Sequence, residues 1–249
     1  MAALDASFTT TPIAHRGLHG VGVPENSMAA FRAAIEAGYG IELDVQPAGD
    51  GTPMVFHDED LSRLTGADGL IAATSRDALA ALRLFGTGEG VPTLAEVLEL
   101  VAGRVPLLIE IKDQDGALGP QIGALAADVA AMVADYAGPV ALMSFNPHMV
   151  AACRDAAPDV PRGLTSCHFA AHDWPQIDAQ GRAELAALSR FEDTESAFIS
   201  HFWGDLDNPA VAALKSRGVP VLCWTIRDAA QEKQARAVAD GITFEHYAA

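Results

Sequence analysis

The apolar positions of this chain fall into two rhythms that alternate from end to end. Short runs of strand-forming residues, such as 105–111 (VPLLIEI) and 140–143 (VALM), have the length of buried strands. Between them lie Ala-rich stretches with helical spacing. Residues 28–38 (MAAFRAAIEAG) set Phe31 and Ile35 four apart and close at Gly38, and 93–103 (TLAEVLELVAG) open with Thr93 and Glu96 at the separation of a capping box. Either Asn26 or Ser27 is placed to cap the first of these helices. Strands are expected at 12–14, 40–45, 54–56, 105–111, 140–143, 162–165, 197–200, 219–222 and 241–243. Helices are expected at 28–38, 93–103, 121–136, 147–156, 208–218 and 228–239.

This alternation argues for an α/β fold with a parallel sheet. A TIM (β/α)8 barrel takes about 250 residues, and the chain has 249. Nine strand candidates exceed the eight of such a barrel, so either 162–165 or 241–243 is expected to be misread. Segment 59–92 breaks the rhythm with LSRLTGADG, SRDALAALRLF and GTGEGVP and reads as a small insertion after the third strand. The polar stretch before Ser196 resists assignment. The whole, 1–249, reads as one domain.

Composition narrows the partners. Half the residues are hydrophobic, enough for a sizeable core, while 16 Lys+Arg against 33 Asp+Glu give a formal net charge of -17. Such a surface disfavours nucleic acid and anionic membranes, and any phosphate site needs local positive charge. Cys153, Cys167 and Cys223 show no metal or disulfide spacing and read as reduced core thiols. The first residues lack a basic and apolar leader, and no run reaches the ~18 apolar residues of a spanning helix. Cytoplasmic residence without stable membrane insertion is the expectation.

Chemistry collects at one end of the predicted strands. Glu42 and Asp44 alternate along ELDV and share a face, where two buried carboxylates are unfavourable without a cation or proton between them. Glu110 and Lys112 repeat that spacing. The C-terminal strand ends carry His15-Arg16, Glu42/Asp44, His57-Asp58, Glu110/Lys112, Ser144, His201 and Trp224, whereas Pro12, Met54, Pro106, Val140 and Pro220 mark the other ends. In a barrel the former ends form the active face. Three converging carboxylates with only Lys112 to offset them call for one hard divalent cation, Mg2+ or Ca2+, rather than zinc. Half-exposed edge strands or structural Glu–Lys pairs are the plainer readings, but they leave the recurrence at strand after strand unexplained.

Taken in order, HRG at 15–17, PENS at 24–27, AAF at 29–31, ELDV at 42–45, DG at 50–51, HD at 57–58, PTL at 92–94 and EIK at 110–112 resemble the glycerophosphodiester phosphodiesterases, more loosely through SF at 144–145 and WT at 224–225. The resemblance implies an α/β barrel with a small insertion after the third strand. It implies Glu42, Asp44 and Glu110 as metal ligands, His15 and His57 as the acid–base pair, and Arg16 and Lys112 on the phosphate oxygens. Asn26 is expected to help place substrate or metal, unless it is only a helix cap, and Trp224 to pack the alcohol side, unless it is only core. The small-molecule substrate is a glycerophosphodiester, split to sn-glycerol 3-phosphate and an alcohol such as choline or ethanolamine. PENS stands where PENT is usual, and GITFEHYAA replaces an ITD-type ending, so the role of that Asp is either missing or taken by Glu245. His201 stays open as a site residue, while His19, His148, His168, His172 and His246 read as surface or packing residues.

Three other functions compete. Phospholipase D-like attack by a lysolipid's own hydroxyl would give a cyclic phosphate, but the secreted members are disulfide-bonded and this chain has neither paired cysteines nor an apolar docking loop. A non-catalytic phosphodiester-binding barrel is expected to have lost an acid–base histidine or a metal carboxylate. A two-carboxylate glycosidase needs neither histidines nor cation, and 6% aromatic residues provide few sugar platforms.

Overall fold

Alternate residues of a strand point to opposite sides, and that rule sorts the apolar side chains into separate cores. A computed structural model describes residues 2–249. Its strands are β1 (Ile13–Ala14), β2 (Gly40–Pro47), β3 (Pro53–Val55), β4 (Leu107–Ile111), β5 (Val140–Ser144), β6 (Arg162–Ser166), β7 (Phe198–Phe202), β8 (Val221–Ile226) and β9 (Gly241–Phe244). Eight of them close a parallel ring, β1-β2-β4-β5-β6-β7-β8-β9, with β1 pairing both β2 and β9. This is the expected TIM barrel.

The surplus strand lies elsewhere than expected. Both suspect segments, as β6 and β9, belong to the ring. The extra one is β3, which pairs antiparallel with β2 outside it. The reason was in the chain length. A parallel neighbour needs a crossover of a dozen or more residues, and the short Gly49–Gly51 turn permits only a hairpin.

Outward residues such as Ile41, Leu43, Ile109 and Leu142 pack against the surrounding helices in the main core. The Ser27 hydroxyl caps Met28–Ala37 by accepting the Ala30 N–H, and Thr93 with Glu96 forms a full capping box on Leu94–Val101. Inward residues form a separate plug in which Phe8, Leu108, Ala141, Phe198 and Leu222 meet. Phe8 comes from a short helix, Ser7–Thr10, that the sequence pattern does not announce. Glycine makes room for this plug. A Cβ at Gly241 would stand 2.4 Å from the Phe8 carbonyl oxygen, and one at Gly163 2.6 Å from the Phe198 ring. Phe8 is fully buried, so Phe8→Ala is expected to destabilise the barrel by about 3–5 kcal/mol, read as a lower urea midpoint at unchanged m-value.

Segment 59–92 carries the helices Ser62–Thr65 and Arg76–Ala81 and a 3-10 turn, Ile71–Ala73. Its Leu61, Leu64, Ile71 and Leu79 pack on Met54 and Phe56 in a cluster apart from the main core. The unassigned polar stretch contains a helix, Ala179–Ala186, capped by Asp178. None of its residues is buried, so it shows no apolar stripe to find. The helix expected at 121–136 is shorter, Leu125–Val133, and that at 228–239 is Ala229–Ala235. Among the described residues, no helix is long and apolar enough to cross a membrane.

Candidate active site

The alternation that builds the plug also builds the site one layer higher. Glu42 and Asp44 point inward from β2, and register sets Asp44 opposite Glu110 of β4. One carboxylate oxygen from each lies within 4.8 Å of the other two, and all three residues are buried. Lys112 follows directly on β4, and its Nζ reaches Asp44 Oδ1 at 2.6 Å and also Glu110 Oε1. Arg16 takes a left-handed backbone conformation that turns its N–H onto Glu42 Oε2 at 2.9 Å. Its guanidinium donates to Glu25 Oε1 at 2.7 Å, and Nε stands 3.2 Å from Asp44 Oδ2 without a hydrogen-bonding partner.

Asn26 does not cap the helix. Its φ is +53°, and its side-chain amide donates to Asp44 Oδ2 at 2.8 Å from a fully enclosed position. It fixes a carboxylate rather than lining the cavity. Burial, then Asp44 and Glu110, push the Glu42 carboxyl well above its ordinary range. Burial acts on Asp44 in the same sense, but Lys112, His57 and Arg16 outweigh it and hold Asp44 ionised.

The two histidines are held alike. His15 Nδ1 lies 2.6 Å from Glu245 Oε2, and Arg227 Nε donates to Glu245 Oε1 at 2.7 Å. His57 Nδ1 lies 2.7 Å from Asp58 Oδ1, and Arg63 Nε donates to Asp58 Oδ2 at 2.5 Å. A carboxylate only accepts, so each Nδ1 carries a proton and Nε2 is left as the nitrogen available to a substrate. Burial lowers the His15 pKa, and the hydrogen bond to Glu245 only partly offsets it, which favours the neutral ring over the imidazolium. Arg63 also donates to both Glu25 oxygens, at 2.8 and 2.9 Å. Glu25 thereby ties Arg16 to the insertion.

A cavity of about 180 Å³ is lined by His15, Arg16, Glu42, Asp44, His57, Glu110, Lys112, Phe145, Trp224 and Arg227, among others. Every predicted site residue except Asn26 therefore faces one space. Trp224 contributes a wall, with Nε1 donating to the Ser200 carbonyl at 3.0 Å. His201 is absent from this wall. It is fully buried, with Nδ1 2.8 Å from Ser166 Oγ and Nε2 3.0 Å from Asp205 Oδ2, and it braces β6 against β7. Glu25, Asp58, Arg63 and Arg227 were not assigned roles from sequence, and Glu245 was named only as a substitute for the Asp of an ITD-type ending. The signals in the sequence were the place of Glu25 in PENS, the adjacency in HD and the departure at Glu245.

The fold and this cluster define a barrel hydrolase whose ionisable groups converge on the C-terminal face. Residues 15–248 match the model of the glycerophosphoryl diester phosphodiesterase family. A glycerophosphodiester phosphodiesterase of Caldanaerobacter subterraneus subsp. tengcongensis is 32% identical over 94% of this chain and 93% of its own. Among solved structures, an Oleispira antarctica phosphodiesterase in complex with the product sn-glycerol-3-phosphate superposes with a TM-score of 0.76 at 26% identity, covering 96% of this chain and 94% of that one. The Thermotoga maritima glycerophosphodiester phosphodiesterase gives 0.71 at 26% identity, over 94% and 93%. The chain belongs to the glycerophosphoryl diester phosphodiesterase family and is an enzyme of that hydrolase class.

Proposed function

We propose that the protein hydrolyses small glycerophosphodiesters, such as glycerophosphocholine and glycerophosphoethanolamine, to sn-glycerol 3-phosphate and the free alcohol. The observation that carries this reading is the cavity on which three carboxylates, two carboxylate-held imidazoles and three cationic side chains converge. The reading extends to one domain, with 59–92 as its insertion, and to cytoplasmic action, with which three free buried cysteines agree. The product named for the Oleispira structure supports the substrate class.

The donor set suits a hard divalent cation, Mg2+ or Ca2+, because it is all oxygen, buried and acidic. Lys112, bridging Asp44 and Glu110, shows that this pair already accepts positive charge between its oxygens. Glu42, Asp44 and Glu110 would hold the ion, which when bound would supply charge neutralisation to the phosphodiester and a lower pKa to bound water. Arg16 and Lys112 receive the phosphate oxygens. One imidazole Nε2 takes the proton of the attacking water and the other protonates the departing alkoxide, while Glu245 and Asp58 keep both rings in the required tautomer.

A second cavity, of about 570 Å³, adjoins the first and shares His57, Glu110, Lys112 and Phe145 with it. Its other walls include Glu59, Asp60, Asp113 and Trp174. Acidic groups beside aromatic faces suit a cationic alcohol. Glycerophosphocholine is therefore expected to exceed glycerophosphoglycerol in kcat/KM by about fivefold or more. Equal or reversed values across a panel assayed with each metal would remove this second cavity from the substrate path. Phosphorus NMR of the products tests the reaction itself: sn-glycerol 3-phosphate is expected, and a cyclic phosphate as end product would favour the phospholipase D-like course.

A further inference from the structure

Behind His15, on the side turned from the cavity, a second group of donors comes together. His15, His19 and Glu245 each offer one ligand atom within 4.8 Å of the other two. Of the three, only His15 lines the cavity. His19 Nε2 stands 3.6 Å from Glu245 Oε2, too far for a hydrogen bond. It is nonetheless buried and has no partner. A buried, unsatisfied ring nitrogen is costly and calls for a ligand. The ring is held in place, packing edge-on against His246 with centroids 5.2 Å apart. Arg227 occupies only Glu245 Oε1, which leaves Oε2 directed at the two imidazoles.

We propose that His15 Nδ1, His19 Nε2 and Glu245 Oε2 form a second metal site for a borderline divalent transition ion such as Zn2+ or Co2+, and that filling it switches the enzyme off. Two imidazoles and one carboxylate are the donor set of that ion class, whereas Mg2+ and Ca2+ favour the all-oxygen cluster. With bonds of about 2.0–2.2 Å, tetrahedral donors sit roughly 3.4 Å apart. The His19–Glu245 separation of 3.6 Å already fits, the 2.6 Å His15–Glu245 pair has to open, and the two imidazole donors lie within 4.8 Å of each other. On binding, the ion displaces the Nδ1 proton of His15 to solvent. Nε2, bare until then, takes up a proton from solvent in exchange, so the ring stays neutral, is protonated on Nε2 and no longer accepts a proton from the reaction. The inhibition rests on the acid–base role proposed for His15, while the binding does not.

The protein saturated with Mg2+ is titrated with Co2+ and followed by visible absorption. Wild type is expected to take up Co2+ with the intense d–d bands of an imidazole-ligated, low-coordinate site, and His19→Gln to lose those bands. Zn2+ in excess Mg2+ is expected to inhibit wild type, with His19→Gln needing at least about tenfold more. Identical Co2+ stoichiometry and spectra in the two proteins would overturn the site. Should the variant misfold, Cu2+ electron paramagnetic resonance on unaltered protein decides, because nitrogen hyperfine structure supports the site and an all-oxygen signature sinks it. Co2+ binding with the expected spectrum but no inhibition by Zn2+ would overturn the switch and, with it, the role given to His15.

Discussion

Replacing His57 by alanine is expected to lower kcat by a factor of about 10²–10⁴ while leaving the circular dichroism spectrum and melting temperature close to wild type. The expectation separates chemistry from stability because of how His57 is held. Its side chain is about one-third exposed, so its loss leaves no apolar void. Asp58 stays paired with Arg63, which is itself anchored on Glu25, so no buried charge is stranded. His15 is the less clean target. Its removal strips one partner from Glu245, which burial works to neutralise and which the hydrogen bond from His15 does most to keep ionised. Retained turnover in a folded His57→Ala protein would refute the assigned acid–base pair.

The second large effect concerns the carboxylate cluster. Chelation is expected to abolish activity, and added Mg2+ or Ca2+ to restore it. Glu110→Gln keeps the side chain's volume but removes one of three anionic donors and half of the Lys112 bridge. Metal-based charge stabilisation amounts to several kcal/mol, so kcat/KM is expected to fall on the order of 10³, with a much higher metal concentration needed for the activity that remains. Activity indifferent to chelator would place the chemistry on the histidines and cationic side chains alone.

The clustering of the three carboxylates and the placing of both histidines at the cavity were legible in sequence because strand alternation and strand ends are local properties. ELDV and EIK place their acids on one face whatever the rest of the chain does, and the apolar runs before His15, His57 and Lys112 say where those residues emerge. What could not be read is what the fold brings together from afar. Glu245 reaches His15 across 230 positions, and Arg63 reaches Glu25 across 38. No period or motif encodes such pairings. The doubt over the two weak strands shows the same limit. Residues 162–165 open with Arg162, whose guanidinium is buried and donates to the Thr194 and Val160 carbonyls. Segment 241–243 opens with Gly241, whose missing side chain is what admits Phe8. The antiparallel placement of β3, by contrast, follows from the shortness of its loop.

In the proposed function Glu42, Asp44 and Glu110 jointly hold one hard cation at the mouth of the barrel. Anomalous diffraction from crystals soaked in Mn2+, as a stand-in for Mg2+, tests it most directly. A peak is expected at about 2.0–2.6 Å from an oxygen of each of the three carboxylates, with Lys112 moved off the bridge. Carboxylates turned apart around an empty centre, at metal concentrations that support full activity, would contradict it.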